Sequence, residues 1–341
     1  MLVNMPPKQK HALVIGINYT GRPPIPPLPG CISDGSKMDD MLRTHMGYTE
    51  VTFLRDDTNV AENLPTKHNI MTNLYRLSAL SESLAEICIY YTGHGGIIPD
   101  FNGDERATSP QPFGADSIIY PCDTFDILSS RPSNADVYFI SGGNYIVGPI
   151  IDDELQTVIR RFRCPTLIFM DCCNNGTGMD LEWSFNEIRS PYNWSPRIQN
   201  NTKSIDYPNI FMISGSRDDQ LSIEYPFYTN NTGTARYGGF LTFVLLNCLR
   251  DAQYSIDIAK LYSQMYFAIK QFSATLMTLT TPPPGGFQTP VLSSSSPSPA
   301  YTWTNDPSKV ELVRSPSQVI KSSMAYVKWS SANQRFHPKL L

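Results

Sequence analysis

The sequence predicts an α/β protein with a mostly parallel central sheet and helices on both faces. Three observations predict it. Short, continuously apolar runs recur along the chain, stretches with helical spacing separate them, and small or polar residues cluster where the apolar runs stop. In sheets of this kind ligands bind beyond the carboxyl ends of the strands, so those clusters mark where chemistry should lie.

Taken in order, HALVIGI (11–17) reads as a buried strand, followed by the proline-rich loop RPPIPPLPG. Residues 32–44 place Ile32, Met38, Met41 and Leu42 at helical spacing. VTFLRDD (51–57) reads as a second strand, and residues 66–84, entered through Pro65-Thr66, as a helix. EICIYYTG (86–93), TLIFMDCC (166–173) and NIFMISGS (209–216) are three further strands, and helical patterns return at 238–250 and 255–273. Residues 181–206, rich in Asn, Ser and Pro, read as a loop. Residues 276–300, rich in Thr, Pro and Ser, read as a linker or surface loop, and the tail from Ser296 has a β-like pattern in MAYVKW.

The bulk numbers exclude several classes. A chain of 341 residues that is 41% hydrophobic can bury a large core. A net charge of -4 gives no basic surface for nucleic acid. No apolar run is long enough to cross a bilayer, so no membrane partner is expected, and MLVNMPPKQK lacks the apolar stretch of a signal peptide. Seven cysteines without a CxxC pair disfavour a zinc knuckle, and a cytoplasmic monomer is the expectation. Asn-x-Ser/Thr matches, such as Asn175, are discounted because a glycan there would sit two residues past a candidate nucleophile. No phosphate-binding glycine loop follows the first strand, which argues against a nucleotide-binding protein.

The chemistry sits in TGHGG and DCCNNG, each ending an apolar strand. A cysteine attacks as thiolate, and a neighbouring imidazole can take its proton. A glycine after the histidine lets a backbone N–H approach a substrate carbonyl, and the cysteine's own N–H supplies a second donor.

YYTGHGG followed by DCCNNGTGMD resembles the His and Cys boxes of the metacaspases, relatives of the caspases. HALVIGINY, GCISD, DSIIYPCD, IIDDE, MISGSRDDQLS and QTPVLSSS match further family segments in the family's order, over roughly residues 10–295. The resemblance implies a caspase-hemoglobinase-like fold of a type I-like member without a long prodomain. It divides the chain into an extension (1–9), a peptidase domain (10–295) and a tail of unknown role (296–341). Within the domain it implies a large-subunit-like part (10–180), a linker (181–206) and a small-subunit-like part (207–295). His94 is implied as base and acid, Cys173 as nucleophile and Gly95 as oxyanion donor, with Cys172 turned into the core by strand alternation. Asp34 and Asp171 would floor a pocket lined by Cys31 and Thr92, attracting Lys or Arg of a protein or peptide substrate before the cut bond. Asp116, Asp152, Asp153 and Asp180 resemble the family's calcium site, so calcium is expected as an activator outside the chemical step. Self-cleavage is expected near Arg189, Arg197 or Lys203. One departure is Asn174-Asn175, where the family has His-Ser. It keeps open a second reading, a caspase-fold pseudoenzyme or scaffold with little turnover.

Overall fold

The computed structural model describes residues 7–23, 25–100, 115–126, 137–140, 144–185, 188–190, 193–194, 197–198, 205–228, 235–277, 286 and 288–306. Lys203 and MAYVKW lie outside the described residues.

The first half of the chain alternates strands and helices: β1 (Lys10–Gly16), α1 (Cys31–Thr44), β2 (Glu50–Arg55), α2 (Lys67–Leu80) and β3 (Glu86–Thr92). A layer of short strands follows, comprising β4 (Gly95–Pro99), β5 (Ala115–Ile119), β6 (Phe125–Asp126), β7 (Val137–Ile140), β8 (Asn144–Val147) and β9 (Ile150–Ile151). Next come α3 (Asp152–Ile159), β10 (Thr166–Asp171), β11 (Trp183–Ser184), β12 (Ile188–Ser190), β13 (Asn193–Trp194) and β14 (Arg197–Ile198). The chain continues through β15 (Ile210–Ser214), the hairpin β16 (Glu224–Tyr228) and β17 (Ala235–Gly239), then α4 (Phe240–Asp251). It closes with β18 (Ser255–Asp257), α5 (Ile258–Met277), β19 (Val291–Ser294) and β20 (Thr302–Thr304).

The central sheet runs β14-β11-β19-β15-β10-β3-β1-β2. From β2 to β15 all neighbours are parallel, and β19 and β11 extend the sheet antiparallel. Side chains alternate across a strand, so β1 feeds two cores. Ala12 and Val14 join the core under α1, α4 and α5, whereas Leu13 and Ile15 join the one under α2 and α3. Burial on both faces explains why β3 and β10 are apolar throughout rather than alternating. The α2 helix starts where expected because the Thr66 hydroxyl accepts from the Asn69 N–H at 3.1 Å.

Three sequence expectations need correction. Part of 276–300 is sheet: β19 is fully buried between β15 and β11. Part of 181–206 is also paired, through β11 and β14. Residues 296–306, assigned to the tail, belong to the same fold. β20 pairs with β18, the fully buried Trp303 stacks on Phe169 at 5.2 Å, and Tyr301 stacks on Phe211 at 5.9 Å. The Tyr48 and Tyr301 hydroxyls both donate to the buried Glu86 carboxylate, which also pairs with Lys10 at 3.0 Å. Proline and serine content hid these strands, because their burial comes from distant parts of the chain.

Candidate active site

The register of β3 against β10 sets the site. Thr92 lies opposite Asp171, so both strands stop at the same level and their next residues emerge side by side. Gly93-His94-Gly95 leaves β3, and Cys172-Cys173 leaves β10. The two turns meet at residue 95, where an added Cβ would stand 2.2 Å from the Cys173 carbonyl oxygen and 3.2 Å from the Cys172 sulfur. Only glycine fits there.

The His94 Nε2 lies 2.7 Å from the Pro26 carbonyl oxygen. A carbonyl only accepts, so Nε2 carries the proton and Nδ1 is the basic nitrogen. Burial holds the His94 pKa below its ordinary value, which keeps the ring neutral at pH 7. Cys172 is buried and Cys173 half-buried. The Cys173 sulfur accepts from the Ser222 N–H at 3.3 Å, and burial raises its pKa against that donor's pull. Both shifts favour the neutral thiol and the neutral imidazole.

Beside this pair lies a cluster of acidic side chains. Asp34, at 2% exposure, accepts from the Gly239 N–H at 2.6 Å and from Lys37 Nζ at 2.8 Å. Asp171 accepts from the Ser222 hydroxyl at 2.8 Å, from the Thr242 hydroxyl at 2.6 Å and from the Thr242 N–H at 3.0 Å. A Cβ on Gly239 would stand 2.0 Å from Asp171 Oδ2, so Gly239 borders both carboxylates. Burial raises both acids, Asp34 to about 6. Cys31 and Thr92 are buried beside them, with a hydrogen bond between the two side chains.

Sequence reasoning missed a third acid, Glu224. It is half-buried, pairs across the hairpin with Gly239 and accepts from the Gly30 N–H at 2.7 Å. Burial raises its pKa, with Asp34 and Asp171 adding repulsion. It stands 194 residues from Gly30 in sequence, and no local motif marks it. Ser222 and Gln288, whose Oε1 accepts from the Ile223 N–H at 2.9 Å, lie in the matching segments MISGSRDDQLS and QTPVLSSS but had no role assigned, and Thr242 lies outside every such segment.

Asn174 takes the left-handed backbone at φ 51°, a region Asn enters more readily than most residues. Its amide donates to the Asp218 carbonyl at 2.6 Å, so the departure from His is accommodated locally. Asn175 is fully buried.

The four candidate calcium ligands stand on other elements. Asp116 sits on β5, Asp152 and Asp153 open α3, and Asp180 has φ 45°. Asp116, Asp152 and Asp180 are buried, and Asp152 accepts from the Ser117 N–H at 2.6 Å and the Asp153 N–H at 3.0 Å. Ser117 Oγ meets Thr177 Oγ1 at 3.3 Å, tying β5 to the segment that leads to Asp180. These are the hard oxygens calcium takes. As placed, however, no three His, Cys, Asp or Glu side chains among the described residues are gathered to hold a metal. No chemical step is routed through one.

A caspase-like α/β fold with a histidine and a cysteine at the ends of adjacent strands defines the class. Residues 10–130 match the family described as "Metacaspase, peptidase C14 domain". The chain is 30% identical over 233 residues to Metacaspase-1 of Scheffersomyces stipitis, covering 67% of this chain and 47% of that protein. It is 32% identical over 183 residues to Metacaspase-1B of Aspergillus fumigatus, covering 52% and 38%. Caspase-1 from Spodoptera frugiperda aligns over 85% of this chain and 87% of its own, at 13% identity and a TM-score of 0.47. The chain carries a metacaspase-type C14 domain and spans less than half the length of these curated relatives.

Proposed function

We propose that the protein is a cysteine endopeptidase that cuts after Arg or Lys, with Cys173 as nucleophile and His94 as proton carrier. The observation that carries this reading is the packing of Gly95, next to His94, onto Cys172 and Cys173 beside a cluster of three carboxylates.

The neutral starting pair sets the order of events. His94 Nδ1 takes the Cys173 proton as the sulfur attacks the scissile carbonyl carbon, and the backbone N–H groups of Gly95 and Cys173 receive the oxyanion. The imidazolium then gives its proton to the leaving amine. Water, deprotonated by His94, cleaves the resulting thioester and restores the thiol. Asp34, Asp171 and Glu224 favour a guanidinium or ammonium group and repel an acidic side chain. Calcium would act outside these steps, through loops bearing Asp116, Asp152, Asp153 and Asp180. All seven cysteines are free, which supports a reducing compartment such as the cytoplasm.

Purified protein assayed on matched peptides ending in Arg, Lys or Asp tests the reading. Activity should require a basic residue, vanish in Cys173→Ala and survive in Cys172→Ala. Equal cleavage after Asp would reject the pocket. A wild type that takes an alkylating probe at Cys173 yet hydrolyses nothing would favour the scaffold reading that Asn174-Asn175 keeps open.

A further inference from the structure

Nothing in the chemistry described so far uses Tyr19, yet its conformation is costly. It has φ 54°, a left-handed backbone that bulky side chains rarely adopt, and it is fully buried. Such a residue persists only where its surroundings hold it. Here the holder is Asp56, whose two carboxylate oxygens accept the Asn18 N–H and the Tyr19 N–H, each at 2.8 Å.

The strained turn delivers the phenol to the His94 peptide. The Tyr19 hydroxyl accepts from the His94 N–H at 3.0 Å and donates to the Tyr120 carbonyl at 2.6 Å. A second buried phenol, Tyr91, donates to the His94 carbonyl at 2.7 Å. Both ends of residue 94 are therefore gripped by side chains. The two hydroxyls lie 3.1 Å apart, and each has one proton, already committed to a carbonyl. The Tyr19 ring also packs on the imidazole, with centroids 4.7 Å apart at 46°. The same loop that strains Tyr19 carries Pro26, whose carbonyl holds Nε2. Asn18 O accepts from the Leu28 N–H at 2.8 Å and closes that loop.

We propose that Tyr19, clamped by Asp56 and paired with Tyr91, is a positioning residue that fixes the peptide and ring orientation of His94 and so the tautomer with the proton on Nε2. It acts through His94 rather than on the substrate, and the inference rests on the peptidase reading only for its effect on turnover.

The test is Tyr19→Phe, which keeps the ring and removes one hydroxyl. The chain has five histidines, so the ring ¹⁵N and ¹³C resonances of His94 can be assigned by comparison with His94→Ala. Wild type should show one His94 state, protonated on Nε2. Tyr19→Phe should show a mixture of tautomers or a broadened resonance, with kcat lowered about tenfold or more, KM changed less than twofold and alkylation of Cys173 unchanged. Tyr91→Phe should move the same resonance and serves if Tyr19→Phe does not fold. Asp56→Ala, which frees the turn without touching either phenol, should act in the same direction. An unaltered His94 signature in every folded variant overturns the proposal, as does a loss of turnover that tracks a lower Tm and slower Cys173 alkylation. If wild type hydrolyses no peptide, the peptidase reading fails while the resonance still decides the role of Tyr19.

Discussion

Gly95 and the Cys173 carbonyl are in such close contact that residue 95 has no room for a side chain. The atom in the way belongs to the backbone of the proposed nucleophile, so it cannot swing aside. Gly95→Ala should force the two turns apart. A displacement of about 1 Å in a reacting group can cost roughly 10²-fold in rate, and kcat should fall by about that much. Alkylation of Cys173 should persist, because the thiol itself is untouched. Full turnover in the alanine variant would disprove the tight packing.

Glu224 should contribute to the preference for basic residues. Its side chain is half-buried, whereas Asp34 and Asp171 are buried and both oxygens of each already accept protein hydrogen bonds. A hydrogen bond to a charged group is worth about 1.5–3 kcal/mol. Glu224→Gln should therefore lower kcat/KM for Arg peptides about 10-fold to 100-fold. An unchanged ratio of Arg to neutral substrates would exclude Glu224 from recognition.

Two groups give the activity an acid limb with a defined sign. His94 works as a base only when neutral, and its pKa lies below 6.5. Asp34 binds a cation only when ionised, through a pKa near 6. Activity on Arg peptides should rise between about pH 5 and 7. Stability should move the other way for Asp34. Its folded pKa exceeds the unfolded value of 3.8, so its contribution is complete below pH 3.8 and is lost as pH rises through about 6. Asp34→Asn should flatten the decline of Tm between pH 4 and 7 and should weaken Arg binding. A Tm profile identical to wild type would mean that Asp34 carries no such linkage.

Calcium should stimulate turnover in a saturable way at about 10⁻⁴–10⁻³ M. Because the four aspartates are not gathered as placed, binding should draw the Asp180 segment toward Asp116 and Asp152. The double variant Asp152→Ala, Asp153→Ala should lose the stimulation and keep Cys173 reactive to iodoacetamide. Equal rates in EDTA and in excess calcium would remove the site.

Most of the sheet was legible in the sequence, because its signal is local. Runs such as Leu13–Ile17 and Ile87–Tyr91 are apolar on both faces, and the observed strands begin and end within a few residues of the predicted ones. Strands β4 to β9 are short and paired mostly with each other, too brief for periodicity to register. In the site, His94, Gly95 and Cys173 stand out because small residues end apolar runs. Glu224 and Tyr19 do not, since their meaning lies in contacts with residues 194 and 75 positions away. Trp303 was hidden in the same way. Trp303→Ala should destabilise the fold by about 3–5 kcal/mol, read as a lower denaturation midpoint. A change below about 0.5 kcal/mol would show the segment to be dispensable.

The strand order has a bearing on what a single cut could do. A nick in the peptide chain between β11 and β15, the stretch that holds Arg189 and Arg197, yields an upstream piece with β3, β10 and β11 and a downstream piece with β15 and β19. In the sheet these alternate, since β19 and β15 lie between β11 and β10. The two pieces are thus woven rather than stacked, and Tyr301, just before β20, ties the downstream piece to β3 of the upstream one through Glu86. A severed molecule would migrate as two bands under denaturing conditions and as one particle under native ones. Cutting there would sever the chain without releasing either half.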